Sequence, residues 1–358
     1  MQSLRVALIG YGNAGRIFHA PLISGVPGLQ LATISSSKPD AVLADWPEVN
    51  VVATPQTAFD DPAIDLVVIA TGNQSHFPLA RQALQAGKHV VVDKPCTVTL
   101  AQTTGLLQLA QSVGKVLTVF QNRRFDADFL ALKQVLARGE LGRIVHFESH
   151  FDRYRPVVPD RWREQDLPGS GLWFDLGSHL VDQALQLFGM PQDLSLDTAV
   201  QRDGAQVNDY FHAQLRYPQT HPGLRVVLHA SALVPAVGPR FVVHGTRGSF
   251  VKYGLDGQED ALKAGARPQL DALQDWGKDA QVGTLTIYHQ AWTQTSAAPD
   301  CAGNYLQYYA ALRDFLRGQA ETPPVTPNQV AQAMQLLTLG EQSAREGRFV
   351  PVATAVPL

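Results

Sequence analysis

Leu4-Arg5-Val6-Ala7-Leu8-Ile9-Gly10-Tyr11-Gly12-Asn13-Ala14-Gly15 decides how the rest of the chain reads. The run from Leu4 to Ile9 is apolar enough to predict a buried strand. Residues from Asn13 to about Ser24 carry a helical pattern, expected to bend at Pro21. Between strand and helix the glycines fall in the spacing G-x-G-x-x-G, which alone is a weak signal. Its position gives it mechanical meaning. Gly10 permits a tight turn, Gly12 lets a pyrophosphate approach the backbone, and Gly15 lets helix and strand pack closely. The free N–H groups at the helix start then face the phosphates.

The pattern continues beyond this turn. Strand-like runs at Leu29–Ile34, Val49–Ala53, Asp65–Thr71, His89–Val92 and Val116–Phe120 alternate with helical ones. The helices are expected at Ser75–Ala86, with Ser75 as N-cap and Gly87 as stop, and at Thr99–Val113, closed by Gly114. Alternation of this kind predicts a parallel sheet covered on both faces, wound in the Rossmann manner. Residues 1–121 are assigned to this dinucleotide-binding domain and residues 122–358 to a second, α+β domain. There the strand-like runs follow one another: Val145–Tyr154, Asn208–Tyr217, Arg225–Val234, Arg240–Gly245 and Ser249–Tyr253. Only Leu172–Phe188 and Pro327–Glu346 stand out as helices. This predicts a large, mostly antiparallel sheet with one face covered. Gly254–Pro299 reads as irregular, with a short strand near Thr284–Tyr288.

Composition narrows the function. A chain of 358 residues, 45% hydrophobic and 17% charged, suits a globular protein of two domains. A formal net charge of −3 gives no basic footprint for nucleic acid. Cys96 and Cys301 are far apart and read as reduced thiols. No apolar run reaches the length of a membrane span and no signal peptide is present, so a cytoplasmic protein without a membrane partner is expected. No H-E-x-x-H motif or cysteine cluster calls for a metal.

Cofactor contacts are expected from Gly10, Tyr11, Gly12, Asn13, Ala14 and Gly15, and from Thr71, Asn73 and His76 past the Asp65–Thr71 strand. The second strand ends in Ile34-Ser35-Ser36-Ser37-Lys38, with no carboxylate before Asp40. An NAD site wants an acid there for the ribose. Ser35, Ser36 and Lys38 suit a 2′-phosphate instead, so NADP is the expected cofactor, with NAD as the lesser choice. Asp93-Lys94-Pro95 follows a buried strand at the edge where ligands bind in such sheets, and Lys94 can hold a substrate oxygen there. Asp175 and His179 stand at i, i+4 on one helix face. The acid is expected to orient the imidazole, and the imidazole to take a hydroxyl proton.

Together these pieces resemble the Gfo/Idh/MocA oxidoreductases over essentially the whole chain. Asn122-Arg123-Arg124-Phe125, Arg153-Tyr154-Arg155-Pro156, Arg161-Trp162-Arg163-Glu164 and Gly257-Gln258-Glu259-Asp260-Ala261-Leu262 are similar to a narrower branch that holds NADP-dependent scyllo-inositol dehydrogenases. The resemblance implies interconversion of a ring hydroxyl and a ketone on a small polyol or sugar. It implies Lys94, Asp175 and His179 as the catalytic set. It implies Asn122, Tyr154 and Arg163 beside them around the substrate, with Asp93, Lys94 and Asn122 also at the cofactor. Asp93 stands where the family more often has Glu. The resemblance further implies a homodimer or homotetramer built through the second sheet. Two other readings remain open at this level: a keto-sugar or anhydro-sugar reductase or aldose dehydrogenase of the same family, and a nucleotide-binding regulator without chemistry. The regulator would not need Lys94, Asp175 and His179 together.

Overall fold

A computed structural model describes residues 3–353 of the chain; the extreme ends of the two assigned segments lie outside them. The first sheet is built from β1 (Leu4–Ile9), α1 (Ala20–Ser24), β2 (Leu29–Ser35), α2 (Pro39–Asp45), β3 (Asn50–Val52), α3 (Pro55–Asp60), β4 (Leu66–Ile69), α4 (Asn73–Gln85), β5 (His89–Asp93), α5 (Leu100–Ser112) and β6 (Leu117–Phe120). Its six strands run parallel in the order β3-β2-β1-β4-β5-β6. The order reverses between β1 and β4, which opens a crevice at their C-terminal ends. The strands read as continuous apolar runs because both faces are covered: Val6 to Leu8, Leu66 to Ile69 and Val90 to Val92 are fully buried.

Two local expectations change. The helix after the glycine loop starts with a π-helical turn over Ala14–His19, where the Ala20 N–H reaches the Gly15 carbonyl, before α1 takes over at Ala20. Ser75 is not an N-cap. The helix begins two residues earlier, with Gly72 in the cap, and the Ser75 hydroxyl donates back to the Gly72 carbonyl at 2.7 Å. Thr99 does cap α5, accepting from the Gln102 N–H.

The second part contains α6 (Ala127–Arg138), β7 (Ile144–His150), α7 (Ser178–Phe188), β8 (Asp193–Ala199), β9 (Tyr210–Arg216), β10 (Arg225–Ser231), β11 (Phe241–Gly245), β12 (Gly248–Lys252), α8 (Gln258–Lys263), β13 (Thr284–His289), β14 (Trp292–Ala297), α9 (Leu306–Leu316), α10 (Pro327–Glu346) and β15 (Val350–Pro351). Nine strands form one sheet, β14-β13-β12-β11-β7-β10-β9-β8-β15, antiparallel except for the β7–β10 pair. Alternation sorts its faces. On β9, Phe211, Ala213 and Leu215 are buried while His212 is exposed. The stretch expected to be irregular holds α8 and β14 as well as β13. β14 is exposed at every position and pairs with β13 alone, so no apolar alternation marks it.

α9 and α10 return to the first sheet. The Thr118 hydroxyl on β6 donates to the Val325 carbonyl just before α10, and the buried Tyr309 on α9 meets His19 at 2.6 Å. The crevice at the C-terminal ends of β1 and β5 is thereby walled by the second part of the chain. Among the described residues, no helix is long and apolar enough to cross a membrane.

Candidate active site

At the head of the crevice the three glycines separate by what surrounds them. Gly10 has φ +97°, and a Cβ there would sit 2.7 Å from the Ala70 carbonyl oxygen. A Cβ on Gly15 would overlap the Gly10 carbonyl oxygen. A Cβ on Gly12 would meet nothing within 4 Å. Two glycines therefore hold the turn and the helix together, and the third leaves open space above the loop. This is the cradle a dinucleotide pyrophosphate requires.

A cavity of about 240 Å³ continues from this loop. Asn13, Ala14, Asp93, Lys94, Asn122, Arg163, Asp175 and His179 all line it, so residues scattered from the glycine loop to α7 meet at one place. Asp93 and Lys94 arrive at the C-terminal end of β5, and the Lys94–Pro95 peptide is cis. Asp175 lies in a π-helical turn over Trp173–Gly177, and His179 follows in the first turn of α7. The turn is pinned by Trp173, whose indole N–H donates to the Leu337 carbonyl at 3.0 Å and whose ring would clash with any Cβ on Gly177.

The electrostatics of the site centre on Lys94. Its buried ammonium donates to Asp175 Oδ1 at 2.7 Å and to the Asp175 carbonyl. Arg163 Nε stands 3.7 Å from the same carboxylate oxygen. Burial pushes the Asp175 carboxyl up, but Lys94 and then Arg163 hold it well below the usual carboxylate range. Lys94 is lowered from its ordinary value by burial, against the pull of Asp175. His179 is lowered well below the ordinary histidine value, by burial first and by the Lys94 charge second. Its Nδ1 is buried without a partner. Asp93 accepts the Lys94 backbone N–H at 2.9 Å and has the His19 ring 3.8 Å away. Burial raises its carboxyl, yet His19 and Lys94 bring it down to about 2.

Several residues stand differently from expectation. Asp175 and His179 share the cavity, but no hydrogen bond joins them; the carboxylate turns to the Lys94 ammonium at 2.7 Å. Tyr154 is 58% exposed and off the cavity wall. It makes a single bridge to Leu233, and the strand-like alternation turns its neighbours Arg153 and Arg155 toward the cavity, where both line the wall. His76 is fully buried between two carbonyls, Pro95 at 2.9 Å and Thr71 at 3.2 Å, and so braces the Lys94 loop from behind. The Asn73 amide is spent on the Gly169 carbonyl at 2.8 Å, and the Thr71 hydroxyl on Ser75 at 2.6 Å. The Tyr11 hydroxyl donates to Asp45 at 2.8 Å, which turns its ring toward a neighbouring cleft with Arg16, Trp46 and Arg267. The Gly10 N–H donates to the Ser35 carbonyl at 3.0 Å, so the serine turn borders the glycine loop. The Ser36 hydroxyl accepts from the Lys38 N–H at 3.0 Å, and Lys38 itself is exposed.

His19, Arg123, Arg153, Arg155, Glu259 and Lys263 line the cavity without having been singled out as site residues. Most lie inside the sequence stretches that carried the family resemblance, which was the available signal. His19 had none beyond its place one turn past the glycine loop.

The residues 4–121 match the family model described as "Oxidoreductase family, NAD-binding Rossmann fold", and residues 133–354 match its companion, "Oxidoreductase family, C-terminal alpha/beta domain". The chain is 55% identical over 344 residues to an uncharacterized oxidoreductase of Escherichia coli, YdgJ, covering 96% of this chain and 97% of that one. It is 37% identical over 352 residues to the Bacillus subtilis protein IolW, a scyllo-inositol 2-dehydrogenase (NADP(+)), covering 98% and 96%. Among solved structures, the YPO2259 oxidoreductase of Yersinia pestis superposes with a TM-score of 0.93 at 51% identity, with 99% of each chain covered.

Proposed function

This chain belongs to the Gfo/Idh/MocA family of oxidoreductases, and from that premise we propose that it interconverts a ring hydroxyl and a ketone on a polyol, scyllo-inositol foremost, with NADP as cofactor. The observation that carries the reading is the buried Lys94 ammonium, held 2.7 Å from Asp175 on the wall of a cavity shared with the glycine loop and His179. A binding module has no use for such a group, whereas a developing alkoxide does. The name of the IolW relative supports both the substrate class and NADP. The Ser35–Lys38 turn, without a carboxylate and tied to the glycine loop, also supports NADP.

Gly12, Asn13 and Ala14 would hold the pyrophosphate, and the bound nicotinamide would accept the hydride from the substrate carbon. His179, neutral at pH 7 by its lowered affinity for protons, takes the hydroxyl proton. Lys94 hydrogen-bonds the same oxygen and stabilises its negative charge as the C–O bond becomes a carbonyl. Asp175 keeps Lys94 charged and aimed. Alcohol and oxidised cofactor give ketone, reduced cofactor and one proton on His179.

The test is a screen by NADPH absorbance with scyllo-inositol, myo-inositol, glucose and xylose, each repeated with NAD. Turnover of scyllo-inositol with NADP above the other pairs is expected. Failure to oxidise any of the four overturns the substrate class, and a tenfold preference for NAD at low cofactor overturns the NADP assignment.

A further inference from the structure

Away from the active-site cavity, five of the eleven histidines meet on one face of the second sheet. Strand register brings them together: His244 on β11 stands opposite His146 on β7, His150 on β7 opposite His229 on β10, and His229 opposite His212 on β9. Paired residues share a face, and this is the face opposite the fully buried Phe147. The rings lie close, with centroids 5.3 Å apart for His150 and His229 and 5.8 Å for His212 and His229.

Within this patch one group has the form of a metal site. Asp152, two residues past His150, projects between two imidazoles. Its Oδ2 is 3.6 Å from His150 Nδ1, and its Oδ1 is 3.3 Å from His229 Nε2. The three donor atoms all lie within 4.8 Å of one another. Zinc binds nitrogen and carboxylate oxygen at about 2.0–2.2 Å, which places tetrahedral donors roughly 3.3–3.6 Å apart. The Asp152 carboxylate is anchored, since Oδ1 also accepts the Ser231 N–H at 3.0 Å. The far nitrogen of His150, Nε2, meets Glu148 Oε2 at 2.8 Å. A carboxylate behind a ligating histidine fixes its tautomer and raises its basicity, an arrangement typical of histidine metal sites. Asp152 and Glu148 together also offset the charge of a dication.

We propose that His150, Asp152 and His229 form a binding site for a first-row divalent cation, with zinc as the best match, on the face of the second sheet opposite Phe147. Two imidazole nitrogens and one carboxylate oxygen are the donors zinc favours, and three protein ligands leave a position for water. Each side chain retains some exposure in the single chain. Nothing in the oxidoreductase chemistry uses these residues.

The experiment is a calorimetric titration of zinc sulfate into tag-free, full-length protein previously dialysed against a chelator. One equivalent per chain should bind with a dissociation constant below about 10 μM. His229→Ala and Asp152→Asn should each weaken binding at least tenfold, and Glu148→Gln should weaken it by roughly 10-fold to 100-fold. Asp152→Asn keeps an acceptor for Ser231, so it guards against simple misfolding, and His212→Ala should leave the affinity unchanged. Circular dichroism and the oxidoreductase rate should match the parent for every variant. Absence of saturable binding, or equal binding by the parent and by both His229→Ala and Asp152→Asn, overturns the site and leaves the cluster a hydrogen-bonded network.

Discussion

Replacing Lys94 with alanine tests the chemistry most directly. The ammonium is buried, fixed on Asp175 at 2.7 Å, and needs no reorganisation when negative charge develops on the substrate oxygen. Removing one such donor costs roughly 10²-fold to 10³-fold in kcat, or about 2.7–4 kcal/mol of transition-state stabilisation. The stability cost should be smaller. Stripping one partner from a fully buried pair costs roughly 3–5 kcal/mol. Asp175 keeps Arg163 at 3.7 Å and leaves 22% of its side chain exposed, so a loss near or below the lower end of that range is expected. Initial rates by NADPH absorbance give kcat and KM, and fluorescence titration gives the dissociation constant for NADPH. We expect kcat to fall by the full factor while NADPH affinity changes less than about threefold. A kcat within fivefold of the parent would refute the assignment. A loss of cofactor affinity matching the loss of kcat would make Lys94 a cofactor ligand instead.

The pH profile of kcat/KM for alcohol oxidation should be bell-shaped. His179 must be unprotonated to act as base and its affinity for protons is lowered, so activity persists at pH 6.5 and is lost only as pH falls further. Lys94 must be protonated and is also lowered, so the alkaline limb should begin below pH 10.5. His179→Ala should remove the acid limb and cut kcat by roughly 10²-fold to 10⁴-fold; a retained limb would assign it elsewhere. Gly12→Ala should leave the thermal midpoint unchanged, because its Cβ meets nothing within 4 Å, yet weaken NADPH binding at least about tenfold by filling the space the pyrophosphate needs. Unaltered NADPH affinity would count against the cradle. Gly340→Ala, inside α10, should destabilise the fold by about 1–3 kcal/mol in urea unfolding, since its Cβ would lie 2.6 Å from the Trp173 ring. An unchanged midpoint would show that Trp173 can move.

What could be read from the chain was local. The glycine loop, the Lys94 turn and the helix carrying His179 each follow from a few adjacent residues, and each lies where the pattern placed it. The parallel sheet was legible because strands buried on both faces read as unbroken apolar runs. Tyr154 was placed by resemblance alone, which does not fix which side of a strand-like segment faces the cavity; the cavity takes Arg153 and Arg155, and the tyrosine between them faces solvent. β14 was missed because an edge strand exposed on both faces has no hydrophobic contrast. The His150–Asp152–His229 cluster depends on parallel register between β7 and β10, which no spacing in the chain encodes.

The pairing of Asp175 with Lys94 rather than His179 changes how the site works. An acid hydrogen-bonded to His179 would raise its proton affinity and move it toward the charged form. In the observed arrangement the acid is committed to Lys94, and the Lys94 charge acts on His179 in the opposite direction. The site therefore holds two different protonation states side by side: an ammonium that Asp175 keeps charged against burial, and an imidazole that burial first and the Lys94 charge second keep neutral. Oxidation of an alcohol needs both at once, a base for the proton and a cation for the oxygen left behind. Reduction of a ketone needs the same cation on the carbonyl oxygen, with the proton returning from His179. The Lys94–Asp175 pair remains in place for both directions.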